Sequence, residues 1–466
     1  MIEKTTSVVR FAALDRWDSP QISSAPTSYA WPVATLGEVA HVRLGVQVPR
    51  KGSKLRGVAR PYLRAINVRR AELNLTDVKT MYLPEAQAID LALQQGDLLF
   101  VEGSGSVTEV GRAALWNESI SGVVHQNSVI RARLHDERLD PEYVITWFNS
   151  RAGNAYVREQ ATTTSGLYHI GASKLAGAPI PIPPIDIQRK VVAAYREILH
   201  SAETSKSKSV VLKNAAWEYF DAQLIDAAGT AAAADMVTVA EFSVLDRWDT
   251  DITPMGITSS HPIVRLDTVA DIRLGVQLQR SNTGGQDVPY LRVANVQRGY
   301  LDLTDVKTMN VRPDTVARLA LQRDDLLFLE ANSLEEVGRC ARWDGQIPLC
   351  IHQNHVIRAR LRTTDLLPEY VEAWFNSPAG GSHVRARART TSGTLYTIPV
   401  NVLADAPVPV PPVEDQGRLI AKLQEGLAEA RSYLDDAEQL REQAETDLVA
   451  ALTSSCDEAP SRLVTS

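Results

Sequence analysis

The chain carries the same text twice. Leu14 to Asp18 reads LDRWD, and so do Leu245 to Asp249. RLGVQ follows at Arg43 and Arg273, PYLR at Pro61 and Pro289, TDVKTM at Thr76 and Thr304, and DLLF at Asp97 and Asp325. EVGR (Glu109, Glu336), HQN (His125, His352), WFNS (Trp147, Trp374) and TTSG (Thr163, Thr390) complete the series. The offset drifts only from 231 to 227 and back to 228 residues, so insertions are few and both copies have to share one fold. Solenoid units run to roughly 20–50 residues, far short of this period. The repeat therefore specifies two whole domains that do one thing at two places.

At 466 residues the chain has room for two such bodies and something extra, since a domain takes roughly 150 residues. Its hydrophobic content of 44% is ordinary for a globular protein. No stretch approaches the roughly 18 apolar residues of a membrane span. The opening segment, with Arg10 and Asp15 inside it, lacks the apolar core of a signal peptide. Cys340, Cys350 and Cys456 match no metal spacing, and an odd, scattered set suits a reducing compartment. The expectation is a cytoplasmic protein with no membrane partner. Net charge is −7, which argues at first against nucleic acid. Residues 1–185 hold 20 basic and 17 acidic residues, however, and 242–412 hold 18 and 19. Residues 413–466 hold 5 and 12, so the excess sits at the C-terminal end and the repeated bodies are near neutral.

Within each copy, alternating and β-branched segments (VATLGEVAHVRLG, IVRLDTVADIRLG) read as strands entering loops. DLLFVEG, SVIRARL and HVIRARL read as further strands. LDPEYVITWFNS and LLPEYVEAWFNS read as helices with Pro at the first helical position. Each copy closes in a proline run, APIPIPP at 178–184 and APVPVPP at 406–412, which cannot occupy a central strand or continue a helix. A long helical segment follows each run. In the second, Ile420, Leu423, Leu427, Ala430, Leu434 and Ala437 recur at steps of three and four, a heptad seam. The first has Ile187, Val191, Ala194 and Ile198, a polar ETSKSKS stretch, then Leu212, Ala216 and Tyr219. Such seams are satisfied by pairing with each other or by packing on their own bodies; the paired arrangement is preferred here. The predicted class is α+β, with two mixed α/β bodies each followed by a long helix. The boundaries are body one at 1–185, helix at 186–228, linker at 229–241, body two at 242–412, helix at 413–453 and a tail at 454–466.

Enzymatic motifs are few. The sequence has no phosphate loop, no GxGxxG after a strand, no (D/N)PP(Y/F), no HExxH and no GxSxG. Asp77-Val78-Lys79, repeated as Asp305-Val306-Lys307, resembles half of a nuclease site, but Glu72 is replaced by Tyr300 and no further carboxylate completes a metal shell. His125 and His352 lack a neighbouring Cys, Asp or second His, the pattern of a structural histidine. The reading is a non-catalytic binder with no metal or cofactor of its own.

DNA binding calls for Arg and Lys on phosphates and for Arg, Asn and Gln on base edges. The first copy offers Arg43, Gln47, Arg50, Lys51, Arg64, Asn67, Arg70, Ser165 and Tyr168. The second offers Arg273, Gln277, Arg280, Arg292, Asn295, Arg298, Ser392 and Tyr396. Gly45 and Gly275 lie among them, where a loop backbone could approach a phosphate.

Taken in order, twice over, LDRWD, LGVQ, PYLRAINV with PYLRVANV, GDLLF, HQN, TTSG, and PIPPIDIQRKVV with PVPPVEDQGRLI resemble the specificity (S) subunit of a type I restriction–modification system. The resemblance covers nearly the whole chain. It implies two target recognition domains, each reading half of a split double-stranded DNA sequence, and two long helices paired antiparallel as a coiled-coil spacer. It also implies methyltransferase (M) and restriction (R) subunits as partners, which carry S-adenosylmethionine, ATP and Mg. The closeness of the two copies adds the expectation of similar, inverted half-sites. Competing readings are a stand-alone two-domain DNA-binding protein, a nuclease built on the DxK pairs, and an adaptor that joins two proteins.

Overall fold

The computed structural model describes residues 29–48, 57–164, 166–226, 257–277, 285–392 and 394–453. Both LDRWD strings, the linker at 229–241 and the tail at 454–466 lie outside them. The chain divides into two compact units, residues 1–205 with 435–466, and residues 206–434. The division falls inside both long helices, Ile185–Ala222 and Val413–Thr453, so each helix contributes to both units.

In the first unit an antiparallel sheet runs in the order Ala40–Leu44, Val129–Leu134, Leu98–Val101, Ala113–Leu115. The DLLF strand is buried from end to end because both faces of the sheet are covered. Phe100 meets Phe148 of the helix Pro141–Asn149 edge-on at 5.1 Å on one side. Leu99 and Val101 join Leu63, Trp116 and Val129 on the other. A second sheet orders Lys79–Leu83, Val58–Leu63 and Val124–His125, and a third orders Thr162–Thr164, Leu167–His169 and Gly103–Ser104. The second unit repeats these pairings strand for strand, from Ala270–Leu274 beside Val356–Leu361 to Leu395–Thr397 beside Ala331–Asn332.

The proline runs do more than punctuate. Pro179–Pro181 pairs antiparallel with Val33–Thr35, and Pro407–Pro409 with Ile263–Arg265. Alternation makes this possible: the intervening residues keep their N–H groups, and Pro carbonyls remain as acceptors. Trp147 Nε1 donates to Pro179 O at 2.9 Å and Tyr143 donates to Pro181 O at 2.8 Å. Trp374 and Tyr370 do the same to Pro407 and Pro409 at 2.8 and 2.9 Å.

One turn into each long helix a buried glutamine fixes it to its body. Gln188 accepts from the Asp140 N–H at 2.8 Å and donates to the carbonyls of Arg138 and Pro183 at 2.7 and 2.8 Å. Gln416 accepts from Leu367 at 2.9 Å and donates to Asp365 and Pro411 at 2.7 and 2.8 Å.

Within each unit the two helix segments run in opposite directions. In the first, the Tyr195 hydroxyl donates to Glu445 and Arg441 to Glu203, both at 3.0 Å. In the second, Ser209 donates to the Ala430 carbonyl at 2.5 Å and the Lys208 ammonium lies 4.0 Å from the centre of the Tyr433 ring. Small residues line the contact at heptad spacing: Ala202, Ser209 and Ala216 on one helix, and Ala430, Ala437 and Ala444 on the other. A Cβ on Gly426 would lie 2.8 Å from Ala216 Cβ, so the backbones approach closely there. The polar stretch of the first helix thus contains a seam residue, Ser209. Tyr219, read as part of the seam, is instead 46% exposed, and Phe220 beside it is buried.

Replacing Gln188 with Ala removes the partner of one buried and two partly buried backbone groups. Each variant, Gln188→Ala or Gln416→Ala, is expected to lower unfolding free energy by about 2–3 kcal/mol, measured by urea denaturation. An unchanged midpoint would mean that the clamp contributes nothing.

Candidate nucleic-acid interface

The RLGVQ turn rests on the HQN loop. Val46 N–H donates to the His125 carbonyl at 3.1 Å and Asn127 N–H donates to the Val46 carbonyl at 3.0 Å. A Cβ on Gly45 would lie 2.3 Å from the carbonyl oxygens of both His125 and Gln126, and Gly275 is as tightly placed against His352 and Gln353. Glycine is therefore required here by the chain's own backbone, whether or not a phosphate approaches these two positions. Gln47 and Gln277, just beyond, are exposed.

The PYLR arginine and its asparagine organise one loop. Arg64 donates to the Asp77 carboxylate at 2.7 Å and to its carbonyl at 2.9 Å. Asn67 accepts from the Arg64 N–H at 2.9 Å and donates to the carbonyls of Asn74 and Asp77 at 2.9 and 3.1 Å. Arg292, Asn295, Asp302 and Asp305 repeat this network. Asn67 and Asn295 are 1% and 2% exposed, so both are corrected from candidate base readers to loop scaffold. The DxK carboxylates anchor arginine: hydrogen bonding from Arg64 holds Asp77 below its usual range, and Lys307, then Arg292, does so for Asp305. Among the described residues no group of three or more His, Cys, Asp or Glu is placed to hold a metal ion.

Arg70 donates to the Asn149 carbonyl at 2.6 Å and the Thr108 carbonyl at 2.8 Å, and Arg298 donates to the Glu335 carbonyl at 2.8 Å. These arginines tie loops together while keeping partly exposed side chains. Tyr168 and Tyr396 sit half-buried on the strands Leu167–His169 and Leu395–Thr397. Arg50, Lys51, Ser165, Arg280 and the side chain of Ser392 lie outside the described part of the structure.

Arg43 and Arg273 are both exposed and both neutralised, by carboxylates from different places. Arg43 grips Asp90, at the end of the helix Glu85–Asp90, through both carboxylate oxygens. Arg273 pairs at 2.9 Å with Asp271, two residues earlier on its own strand. The residues matching Asp90 and Asp271 in the opposite copies are Arg318 and His41. One carboxylate has moved while the charge balance beside the arginine persisted. Arg131 and Arg358, across the ladder from Arg43 and Arg273, are buried, and Arg358 also reaches Asp271.

The HQN histidines are structural. His125 Nδ1 donates to the Val129 carbonyl at 3.0 Å and His352 to that of Val356 at 2.8 Å. Burial, the largest cause, pushes both imidazoles down to about 4. The sequence reading missed two positioning groups, Gln188 with Gln416 and Asp97 with Asp325. Asp97 is buried and grips Arg133 through two bonds of 2.7 Å, and Asp325 grips Arg360 at 2.6 and 2.7 Å. Both lay within repeated strings, so a buried-polar reading of the repeat could have found them.

No family model matches the chain. A curated relative, the type I restriction enzyme EcoKI specificity subunit of Escherichia coli K12, is 24% identical over 434 residues, covering 88% of this chain and 84% of the relative. Along most of its length the chain is similar to a type I specificity subunit. The fold is similar to that of a solved chain from work on complex assembly and conformational transition of the type I R-M system. That chain has a TM-score of 0.58 at 18% identity, covering 91% of this chain and 99% of the solved one. The HsdS subunit of Thermoanaerobacter tengcongensis is 17% identical with a TM-score of 0.42, covering 92% and 97% of the two chains. Among the described residues no helix is long and apolar enough to cross a membrane.

The two imidazoles make stability depend on pH. The unfolded chain protonates near its ordinary value of about 6.5, while the fold refuses the proton until about 4. Their contribution is complete above pH 6.5 and falls as pH drops toward 4. Between pH 6.5 and 5 each costs about 2 kcal/mol. Denaturation at pH 7.5 and 5.0 should show a smaller loss for His125→Gln/His352→Gln than for the parent; equal losses would contradict the assignment.

Proposed function

We propose that the chain is the sequence-reading subunit of a type I restriction–modification complex. Each mixed body reads one half of a split double-stranded DNA target, and the two long helices act as an antiparallel coiled-coil spacer. The spacer seats methyltransferase subunits, and restriction subunits join them for cleavage. S-adenosylmethionine, ATP and Mg belong to those partners, and this chain carries no catalysis. The observation that carries the reading is the doubled frame: two bodies with the same strand pairings, each clamped by a glutamine to the start of its own helix.

Arg43, Gln47, Arg273 and Gln277 are exposed on that frame, and in the sequence each set is followed by a segment that differs clearly between the copies, 51–60 and 281–288. A guanidinium has five N–H donors, so an arginine held by one carboxylate still has donors for a phosphate or a guanine edge. The methyltransferase partner reaches its adenine by flipping it out of the stack, because the reactive atom is inaccessible within the duplex. Copies this alike, on helix segments that run in opposite directions, support closely related and inverted half-sites.

Single-molecule methylome sequencing of a host carrying this chain with its methyltransferase is expected to show adenine methylation in a split motif with related, inverted halves. Two unrelated halves would overturn the symmetry, and absence of a split motif would overturn the function. Exchanging 51–60 for the sequence of 281–288 should alter only the first half-site, with each mismatched base pair costing about 1–3 kcal/mol.

A further inference from the structure

The two copies hold one carboxylate in the same place and bring an imidazole to it from different strands. Glu102 and Glu330 each follow the buried DLLF strand and are fixed by equivalent backbone bonds. The Glu102 N–H donates to the Ser128 carbonyl at 3.0 Å, and its carbonyl accepts from Ile170 at 2.8 Å. Glu330 makes the same bonds with His355 and Ile398 at 3.0 and 2.9 Å. In the first copy the carboxylate accepts from Nδ1 of His169, on the TTSG hairpin, at 3.2 Å. In the second copy the residue matching His169 is Thr397. The carboxylate there accepts at 2.6 Å from Nδ1 of His355, which stands where the first copy has Ser128.

A third position moves with them. A Cβ on Gly103 would lie 2.7 Å from His169 Nδ1, so with the ring in this orientation glycine stands opposite it and a larger residue would turn the ring away. The second copy has Ala331 there, facing Thr397 in the equivalent ladder. Gly103, Ser128 and His169 form one matched set, and Ala331, His355 and Thr397 form the other.

Neither imidazole is needed for the frame, because the backbone bonds around the carboxylate are the same with either. Both pairs are open to solvent: His169 and Glu102 are 32% and 27% exposed, and His355 and Glu330 are 47% and 24%. Ion pairs of that exposure contribute about 0–1 kcal/mol to stability. What differs between the copies is therefore the position of a hydrogen-bonding group at the surface, beside the HQN loop and the TTSG hairpin. With Nδ1–H given to the carboxylate, the imidazole has Nε2 for an outside partner. The remaining carboxylate lone pairs suit an exocyclic amino group such as cytosine N4.

We infer that Glu102 with His169 and Glu330 with His355 are base-reading pairs, and that the displaced imidazole makes the two half-sites differ at one base pair. This rests on the reading of the chain as a DNA-recognition subunit. The triple variant A331G/H355S/T397H gives the second body the first body's set. Expressed with its methyltransferase in a host without adenine methylation, it is expected to change the second half-site at one base pair to match the first. Methylation of the original second half-site should fall about tenfold or more. The reciprocal G103A/S128H/H169T variant should make the opposite change, and it carries the test if the first variant does not fold. Melting temperature reports folding in each case. The inference is overturned by wild-type halves that already agree at every base pair, or by folded variants with the parental motif. A folded variant whose methylation falls equally at all sites overturns it too. A wild-type chain that gives no split motif refutes the proposed function instead.

Discussion

A single amide side chain at the start of each long helix determines how a helix can belong to a body at all. The first turn of a helix has N–H groups without partners, and the loop before it has carbonyls in the same position. Gln188 and Gln416 bridge the proline run, the loop before the Pro141 or Pro368 helix, and the long helix, and each does so while fully buried. A buried, fully bonded amide has one satisfactory geometry, so it fixes direction as well as attachment. The proline ladder reinforces it, because the carbonyls it exposes are the ones Tyr143 and Trp147 need. Proline thus stops the chain from pairing further and supplies acceptors for the core.

Elements whose cause is local were legible in the sequence. The repeat forced a common fold, the apolar runs marked the buried strands, and Pro at the first helical position marked the WFNS helices. The heptad spacing of Leu423, Ala430 and Ala437 marked the buried edge of the second long helix. The first helix was harder to read because its contact is built from small and polar residues, with Ser209 among them, so hydrophobicity alone pointed to Tyr219. Candidate site residues were legible as types and less so as roles. Asn67 carries the chemistry of a base reader, but three backbone partners within ten residues claim its amide. Only tertiary structure shows which polar side chains the protein has already used.

Most arginines in the bodies are committed in the same way. Arg64, Arg133, Arg292 and Arg360 each grip a carboxylate, and acidic residues nearly match basic ones in number, so the bodies are near neutral despite their arginine content. Such a surface offers a polyanion little long-range attraction. On the proposed function, selectivity would depend on a few exposed donors held in place by the rest, an arrangement that favours discrimination over adhesion.

The exchange of carboxylates around Arg43 and Arg273 limits how the two halves of the gene can trade segments. A recombinant that joins the first copy before residue 90 to the second copy beyond it keeps His41 and acquires Arg318, leaving the strand arginines with neither acid. The opposite recombinant carries Asp271 together with Asp90 and has both. Crossovers between these two positions break a balanced set, whereas crossovers on either side move it intact. A protein whose copies are alike enough to recombine therefore has charge-defined blocks, and these set which hybrids of its two halves fold without an unpaired charge.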